Sequence, residues 1–118
     1  MKKLLILSSL IALLFNTQAI TAHAVITDYS LKITPIHANK ADQVELSFNS
    51  KVELGLSQVF LVRKGDKHEL LQVSSGTKQG QIIIHIPALE IGDYALRFKV
   101  FAADGHLTED IIRFKVSQ

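Results

Sequence analysis

The chain has 118 residues, which is the size of a single domain, and it contains no cysteine and no tryptophan. The lack of cysteine excludes disulfides, thiol catalysis and cysteine-based zinc sites. The formal net charge is +2, from 13 Lys and Arg against 11 Asp and Glu, and no basic run is interleaved with aromatic residues, so no nucleic-acid partner is expected.

Residues 1–22 have the layout of a secretory signal peptide. Two lysines follow the initial Met, and the next twelve residues, Leu4 to Phe15, are mostly apolar. A membrane-spanning helix needs about 20 apolar residues, so this stretch favours export and cleavage over a permanent anchor. We expect a cleaved signal peptide at 1–22 and a secreted domain at 23–118. Without Lys2 and Lys3 the domain has 11 basic and 11 acidic residues, and is near neutral.

The cleavage point decides which residue begins the mature domain. The stretch 18–24 permits cuts that leave Ile20, His23 or Val25 first, and the Ala-x-Ala pattern slightly favours Val25 without settling the choice. A first-position histidine offers its α-amine and ring Nδ1 as a chelating pair, and one more imidazole would complete a three-nitrogen set suited to tetragonal Cu(II). This half of a copper site exists only if the cut falls before His23.

The rest of the chain reads as short strands separated by turn residues. Apolar and polar residues alternate with a period of two, and no helical period is present. We predict seven strands, at 25–33, 43–48, 58–63, 68–73, 81–86, 94–101 and 110–116. This pattern predicts an all-β fold, a seven-stranded Greek-key β-sandwich of the immunoglobulin-like kind. We also expect Tyr94 to pack at a strand start, with its hydroxyl bonded to a local acceptor.

The most informative polar residues lie between the last two strands, where Asp104 and His106 flank Gly105. Two residues apart on an extended chain, their Cα atoms are about 6 to 7 Å apart, which is close enough to bind one ion. Gly105 lets the chain bend between them. Asp-Gly is also a common hairpin signal, so on spacing alone a plain turn is the more economical interpretation.

The other three histidines have ordinary structural settings: His37 lies in a polar stretch, His68 opens a strand after a charged turn, and His85 lies between two isoleucines. For His37, His68 and His85 we expect surface or half-buried positions and no role as metal ligands.

Considered together, these motifs resemble the CopC-type periplasmic copper-binding proteins, which are small secreted cupredoxin-like β-sandwiches. The similarity covers nearly all of the chain after the signal, and it lies in the order of short motifs more than in any one of them. The motifs are His23-Ala24, Thr34-Pro35, Val44 to Glu53, Gly92-Asp93-Tyr94, Phe98-Lys99-Val100, Asp104-Gly105-His106 and Arg113 to Val116.

The resemblance implies a cut after Ala22 and one Cu(II) ion. It implies that His23 binds the ion through its amine and ring, that His106 supplies a second imidazole, and that Asp104 is a weak ligand or a hydrogen-bond acceptor. It further implies a periplasmic copper chaperone or buffer, serving copper homeostasis or resistance. The partner would be an inner-membrane copper importer or another periplasmic copper protein.

The chain also departs from the family pattern. Ser50 stands where some members have a glutamate ligand, and the mature chain has no Met, so the Met-rich Cu(I) site of other members is absent.

Two other functions remain as alternatives. A first-position histidine with a second histidine is also the copper arrangement of oxidative polysaccharide-cleaving enzymes, but a flat aromatic substrate surface is not evident in a chain without tryptophan. No spacing of serine, histidine and acid indicates a catalytic triad, so we do not expect an enzyme. The remaining alternative is a metal-free immunoglobulin-like interaction domain, in which residues 104–106 are only a turn.

Overall fold

The structure of the protein is a computed structural model that describes residues 25–32 and 34–118. The predicted signal peptide and His23 lie outside these residues. The described residues form nine strands and two single-turn 3-10 helices, Ser30–Lys32 and Leu54–Leu56. The strands are β1 Ile26–Tyr29, β2 Ile36–His37, β3 Asp42–Phe48, β4 Gln58–Arg63, β5 Lys67–Leu70, β6 Val73–Ser75, β7 Gln81–Ile86, β8 Gly92–Phe101 and β9 Leu107–Ser117. Within this part of the chain, no helix has the length and apolar character needed to cross a bilayer.

The strands form two sheets, one with the order β1-β3-β7-β6 and the other with the order β2-β9-β8-β4-β5. All neighbours are antiparallel except β2 and β9, which are parallel. The chain changes sheets five times, between β1 and β2, β2 and β3, β3 and β4, β5 and β6, and β7 and β8. Repeated crossing between two packed sheets is typical of a Greek-key sandwich. The predicted all-β sandwich is therefore confirmed.

The structure has nine strands where seven are predicted, and the main difference lies at residues 68–73. The chain leaves one sheet for the other in the middle of this predicted strand. The Leu71 N–H still donates to the Val59 carbonyl of β4 (2.9 Å), whereas the Gln72 carbonyl already accepts from His85 of β7 (2.9 Å). One predicted strand thus becomes β5 and β6, which belong to different sheets.

The first predicted strand, 25–33, is also shorter than expected. It ends at Tyr29 and continues as the 3-10 turn Ser30–Lys32. The two-residue strand β2 was not predicted, because two residues are too few to show an alternating pattern.

The core lies between the sheets and is built from alternate residues of each strand. The Phe48 ring of β3 meets the Phe98 ring of β8 edge-on, with centroids 6.1 Å apart, and so connects the two sheets. Tyr94 stacks on Phe114 at 5.8 Å and donates its hydroxyl hydrogen to the Glu90 carbonyl at 2.8 Å. This is the local acceptor expected from the sequence, and it resembles the tyrosine corner of immunoglobulin-like domains.

Strands β8 and β9 form a hairpin whose ten cross-strand residue pairs run from Gly92 and Val116 to Phe101 and Leu107. Residues 102–106 form its tip, which carries both Asp104 and His106.

Candidate metal site

The hairpin tip is a tight turn fixed by its own backbone. The Gly105 N–H donates to the Ala102 carbonyl at 2.9 Å, and the Ala102 N–H donates to the His106 carbonyl at 3.0 Å. Gly105 has a φ of 89°, and a Cβ added there would meet nothing within 4 Å. Glycine is therefore favoured by the backbone angle and not by crowding.

Asp104 holds His106 with both of its carboxylate oxygens. Oδ1 accepts the His106 backbone N–H at 3.0 Å, and Oδ2 lies 2.8 Å from the His106 ring Nδ1. A carboxylate oxygen only accepts, so Nδ1 is the donor in this contact. The Asp-x-His spacing fixes the orientation of the imidazole as well as the shape of the turn.

This orientation has a chemical consequence at the other ring nitrogen. A neutral imidazole that donates from Nδ1 has its lone pair on Nε2, and histidine binds metals through such a lone pair. Metal-binding histidines commonly donate their other ring nitrogen to a carboxylate in this way. The side chain of His106 is 56% exposed and that of Asp104 is 31% exposed, so the pair lies at the protein surface.

The base of the tip is clamped to the segment 51–57. The Glu53 N–H donates to the Phe101 carbonyl at 2.8 Å, and the Ala103 N–H donates to the Lys51 carbonyl at 3.0 Å. Ser57 Oγ donates to the Glu53 carbonyl at 2.8 Å and accepts the Phe101 N–H at 3.1 Å. The sequence did not indicate this clamp, because it joins residues more than 40 positions apart.

The described N-terminal end of the chain enters beside the same clamp. Val25 and Asn49 form a reciprocal pair, in which the Asn49 N–H donates to the Val25 carbonyl at 3.0 Å and the Val25 N–H donates to Asn49 Oδ1 at 2.9 Å. Asn49 is two residues before Lys51, whose carbonyl holds the tip at Ala103. The segment 49–51 thus contacts Val25 at one end and the hairpin tip at the other.

Gly80 packs against the start of this segment. Its φ is 80°, and a Cβ on it would lie 2.6 Å from the Phe48 carbonyl oxygen and 2.7 Å from that of Ser50. Ser50 itself has a buried hydroxyl with no hydrogen-bond partner among the described residues.

The three other histidines each have a partner away from the tip. His37 Nδ1 lies 3.1 Å from the Gln118 carbonyl, and His68 Nε2 lies 2.9 Å from Asp66 Oδ1. Both are exposed, as expected from the sequence, and His85 is half-buried. No group of three or more histidine, cysteine, aspartate or glutamate side chains within residues 25–32 and 34–118 is arranged to hold a metal ion.

His85 contacts a serine that sequence spacing did not link to it. The Ser74 Oγ lies 3.2 Å from His85 Nε2, across the β6–β7 pair. No acidic side chain of the described residues forms an ion pair with His85. The pair therefore lacks the third group that orients the base in a catalytic triad.

Comparison with protein families matches the CopC domain to residues 31–117, which is most of the chain. The chain belongs to the CopC domain family. The matched range of this CopC-family protein includes Asp104 and His106 and begins after His23. Among individually curated proteins, no sequence matches the chain.

Solved structures show the same architecture. CopC from Methylosinus trichosporium OB3b superposes with a TM-score of 0.66 at 26% identity, covering 80% of this chain and 94% of that one. PcoC, a methionine-rich copper resistance protein from Escherichia coli, gives a TM-score of 0.60 at 20% identity, covering 80% of this chain and 99% of that one. A superoxide reductase (neelaredoxin) from Ignicoccus hospitalis gives a TM-score of 0.54 at 14% identity, covering 85% of each chain. The last two matches show a shared fold alone.

Proposed function

We propose that this CopC-family domain binds one Cu(II) ion as its cargo and acts in the periplasm as a copper chaperone or buffer, in copper homeostasis or resistance. His23, as the first residue of the mature chain, would bind through its amine and ring. His106 would bind through Nε2, and Asp104 would orient the His106 ring. The recipient would be an inner-membrane copper importer or another periplasmic copper protein.

The observation that carries this proposal is that Val25 and the hairpin tip are hydrogen-bonded to the same short segment, 49–51. Val25 and Ala103 are both hydrogen-bonded to the segment 49–51. Two residues of extended chain span at most about 7 Å, so a mature chain that begins at His23 would have its first residue within about 7 Å of Val25. The length of this link is compatible with one ion shared by residue 23 and His106.

The donor set also fits copper chemistry. The tip supplies one imidazole and one carboxylate, and within the described residues no third histidine, cysteine, aspartate or glutamate joins them in a group that could hold a metal ion. An amine and a second imidazole from the first residue would complete a nitrogen-rich set of the kind that Cu(II) favours. The names of the similar proteins agree, since PcoC is a copper resistance protein. Within the described residues no acidic side chain forms an ion pair with His85, so the Ser74–His85 contact gives no support to a hydrolytic triad as an alternative to binding.

A competitive Cu(II) titration of the signal-cleaved protein tests this assignment. We expect saturation at one equivalent, and we expect His106→Ala to weaken binding by more than the 10- to 100-fold that loss of an orienting partner typically costs. The matched control is His37→Ala, because His37 pairs with Ser117 near the end of β9 that lies away from the tip. Equal and weak binding by all three proteins would contradict the proposal and favour a metal-free interaction domain.

A further inference from the structure

The outward face of the five-stranded sheet carries a row of three apolar side chains and Arg97, and both ends of this row are exposed. Leu70, Phe60, Arg97 and Ile111 lie side by side across β5, β4, β8 and β9. Leu70 is 59% exposed and Ile111 is 49% exposed. The Phe60 ring is half-buried and lies 6.5 Å from the His68 ring, centroid to centroid. The outer patch consists of Phe60, Val62, Leu70, Ala95, Arg97 and Ile111. Exposed apolar surface that spans several strands commonly marks an interaction site.

Positive charge is in excess at the centre of this face, where Arg97 has both Arg113 and Glu109 as diagonal neighbours. Arg113 is opposite Ala95 in the β8–β9 pair, and so it is a diagonal neighbour of Arg97 on the same face. Within the described residues neither guanidinium forms an ion pair. Two neighbouring like charges repel each other, and an acidic partner would relieve that repulsion.

On either side of this centre, each positive side chain has a negative side chain opposite it. Lys99 is opposite Glu109 towards the tip, and Lys115 is opposite Asp93 towards the other end of the hairpin. The face therefore presents a net positive centre with mixed charges at both ends. This pattern distinguishes among the occupants that could cover it.

We propose that the outer patch docks a partner protein that presents carboxylates beside apolar side chains. A second copy of this chain fits poorly, because a two-fold contact would place Arg97 and Arg113 against the same cations. An anionic lipid surface also fits poorly, because it would repel Glu109 and Asp93. A protein surface can match both signs of charge at fixed positions.

The outer patch lies on the same hairpin as the tip. Phe101 and Leu107, the last pair of β8 and β9, continue its face towards residues 102–106. Arg97 is four residues from Phe101, which is about 13 Å along a strand. A docked partner would thus lie beside Asp104 and His106. A role for docking in copper transfer rests on the proposed function, whereas docking itself does not.

Binding of a model peptide to the metal-free protein tests the proposal separately from copper. The probe is a short soluble peptide containing Glu and Leu, followed by amide NMR shifts, and its control is the same peptide with Lys in place of Glu. We expect the Glu peptide to shift the outer-patch amides. The double variant Arg97→Glu/Arg113→Glu should weaken this binding at least about tenfold and should accept the Lys peptide.

The matched control variant is Lys40→Glu/Lys78→Glu, which makes the same change in net charge at exposed positions elsewhere. At about 0.15 M salt the Debye length is about 8 Å, so this control should change affinity less than about twofold. Circular dichroism and melting temperature show that each variant is folded.

Several outcomes would overturn the proposal. They are peptide shifts confined to other surfaces, equal effects of the two double variants, and no binding up to about 1 mM peptide. Binding of phosphatidylglycerol vesicles in place of the peptide would favour a membrane, and a dimer that Arg97→Glu/Arg113→Glu abolishes would favour a second copy. Either would contradict docking of an acidic protein, and neither would bear on Cu(II) binding.

Discussion

Asp104 contacts His106 at two points, the backbone N–H and the ring Nδ1, at 3.0 and 2.8 Å. A single carboxylate thereby fixes the turn and the ring together. In an Asp104→Asn variant the amide oxygen can still accept the backbone N–H, but the amide nitrogen would then face Nδ1. The ring would lose the acceptor that holds its tautomer.

We therefore expect Asp104→Asn to lower Cu(II) affinity by about 10- to 100-fold, the usual cost of removing a partner that orients a ligand. Competitive titration measures this loss. Asp66→Asn is the matched control, because Asp66 and His68 have the same spacing and a 2.9 Å contact in the β4–β5 turn. An equal loss in both variants would contradict the assigned role of Asp104.

Tyr94 illustrates a purely structural residue. Replacing it with Phe keeps the ring stacked on Phe114 and removes only the hydrogen bond to the Glu90 carbonyl. We expect Tyr94→Phe to lower the free energy of unfolding by about 1 kcal/mol in a urea titration. The matched control is Tyr29→Phe, which removes a hydroxyl that has no hydrogen bond within the described residues. This control should change the free energy of unfolding by less. A larger effect at Tyr29 would be inconsistent with the proposed hydrogen-bond contribution.

At the scale of elements, the backbone at the end of β3 lies so close to Gly80 that a side chain at this position would contact it. A methyl group on Gly80 would approach the Phe48 and Ser50 carbonyls at 2.6 and 2.7 Å, and the glycine also has a positive φ. Gly105 has a positive φ in open space. Comparing alanine substitutions at the two glycines therefore distinguishes the cost of the backbone angle from the cost of steric crowding.

We expect Gly105→Ala to cost about 1 to 2 kcal/mol of stability, from the backbone angle alone. Gly80→Ala should cost more, and it should also weaken Cu(II) binding because it displaces the segment that holds the tip. Urea unfolding and copper titration of both variants measure these effects. Equal free energies of unfolding for Gly80→Ala and Gly105→Ala would contradict this prediction, because the backbone around Gly80 would then accommodate a methyl group without cost.

The sheet pairing shows what the sequence could and could not predict. Alternation correctly predicted the strands at 43–48, 58–63 and 81–86, because the burial of a half-buried strand repeats every two residues. It could not show that residues 68–73 change sheets, because Leu71 remains buried in either sheet. A period of two identifies the buried face of a strand but not its neighbours.

The candidate site shows a similar division. The two-residue spacing showed that Asp104 and His106 lie close together, because their contact is local, whereas their role as copper ligands comes from the family resemblance and stays a prediction. The clamp through Lys51, Glu53 and Ser57 was not predicted, since it results from pairing between distant segments. Only the fold reveals that Val25 and the hairpin tip share a neighbour.

For the whole molecule, we expect that stability does not depend on a metal. Both sheets contribute to one apolar core, and Ser57 is the only polar residue buried among those described. We expect protein treated with a chelator to keep its β-sheet circular dichroism and to unfold cooperatively. Copper at about 100 times its Kd should then add about 2.7 kcal/mol to the free energy of unfolding. Loss of the cooperative transition without copper would contradict this view.

The central claim is that the first residue of the mature protein completes a copper site at the hairpin tip. The most direct measurement compares Cu(II) affinity between protein that begins at His23, verified by intact mass, and the same protein with one additional residue before it. The additional residue converts the α-amine of His23 into an amide and leaves the tip unchanged. We predict one tight equivalent for the first protein and a large loss for the second. Equal affinities, or a natural mature chain that begins at Val25, would contradict the account.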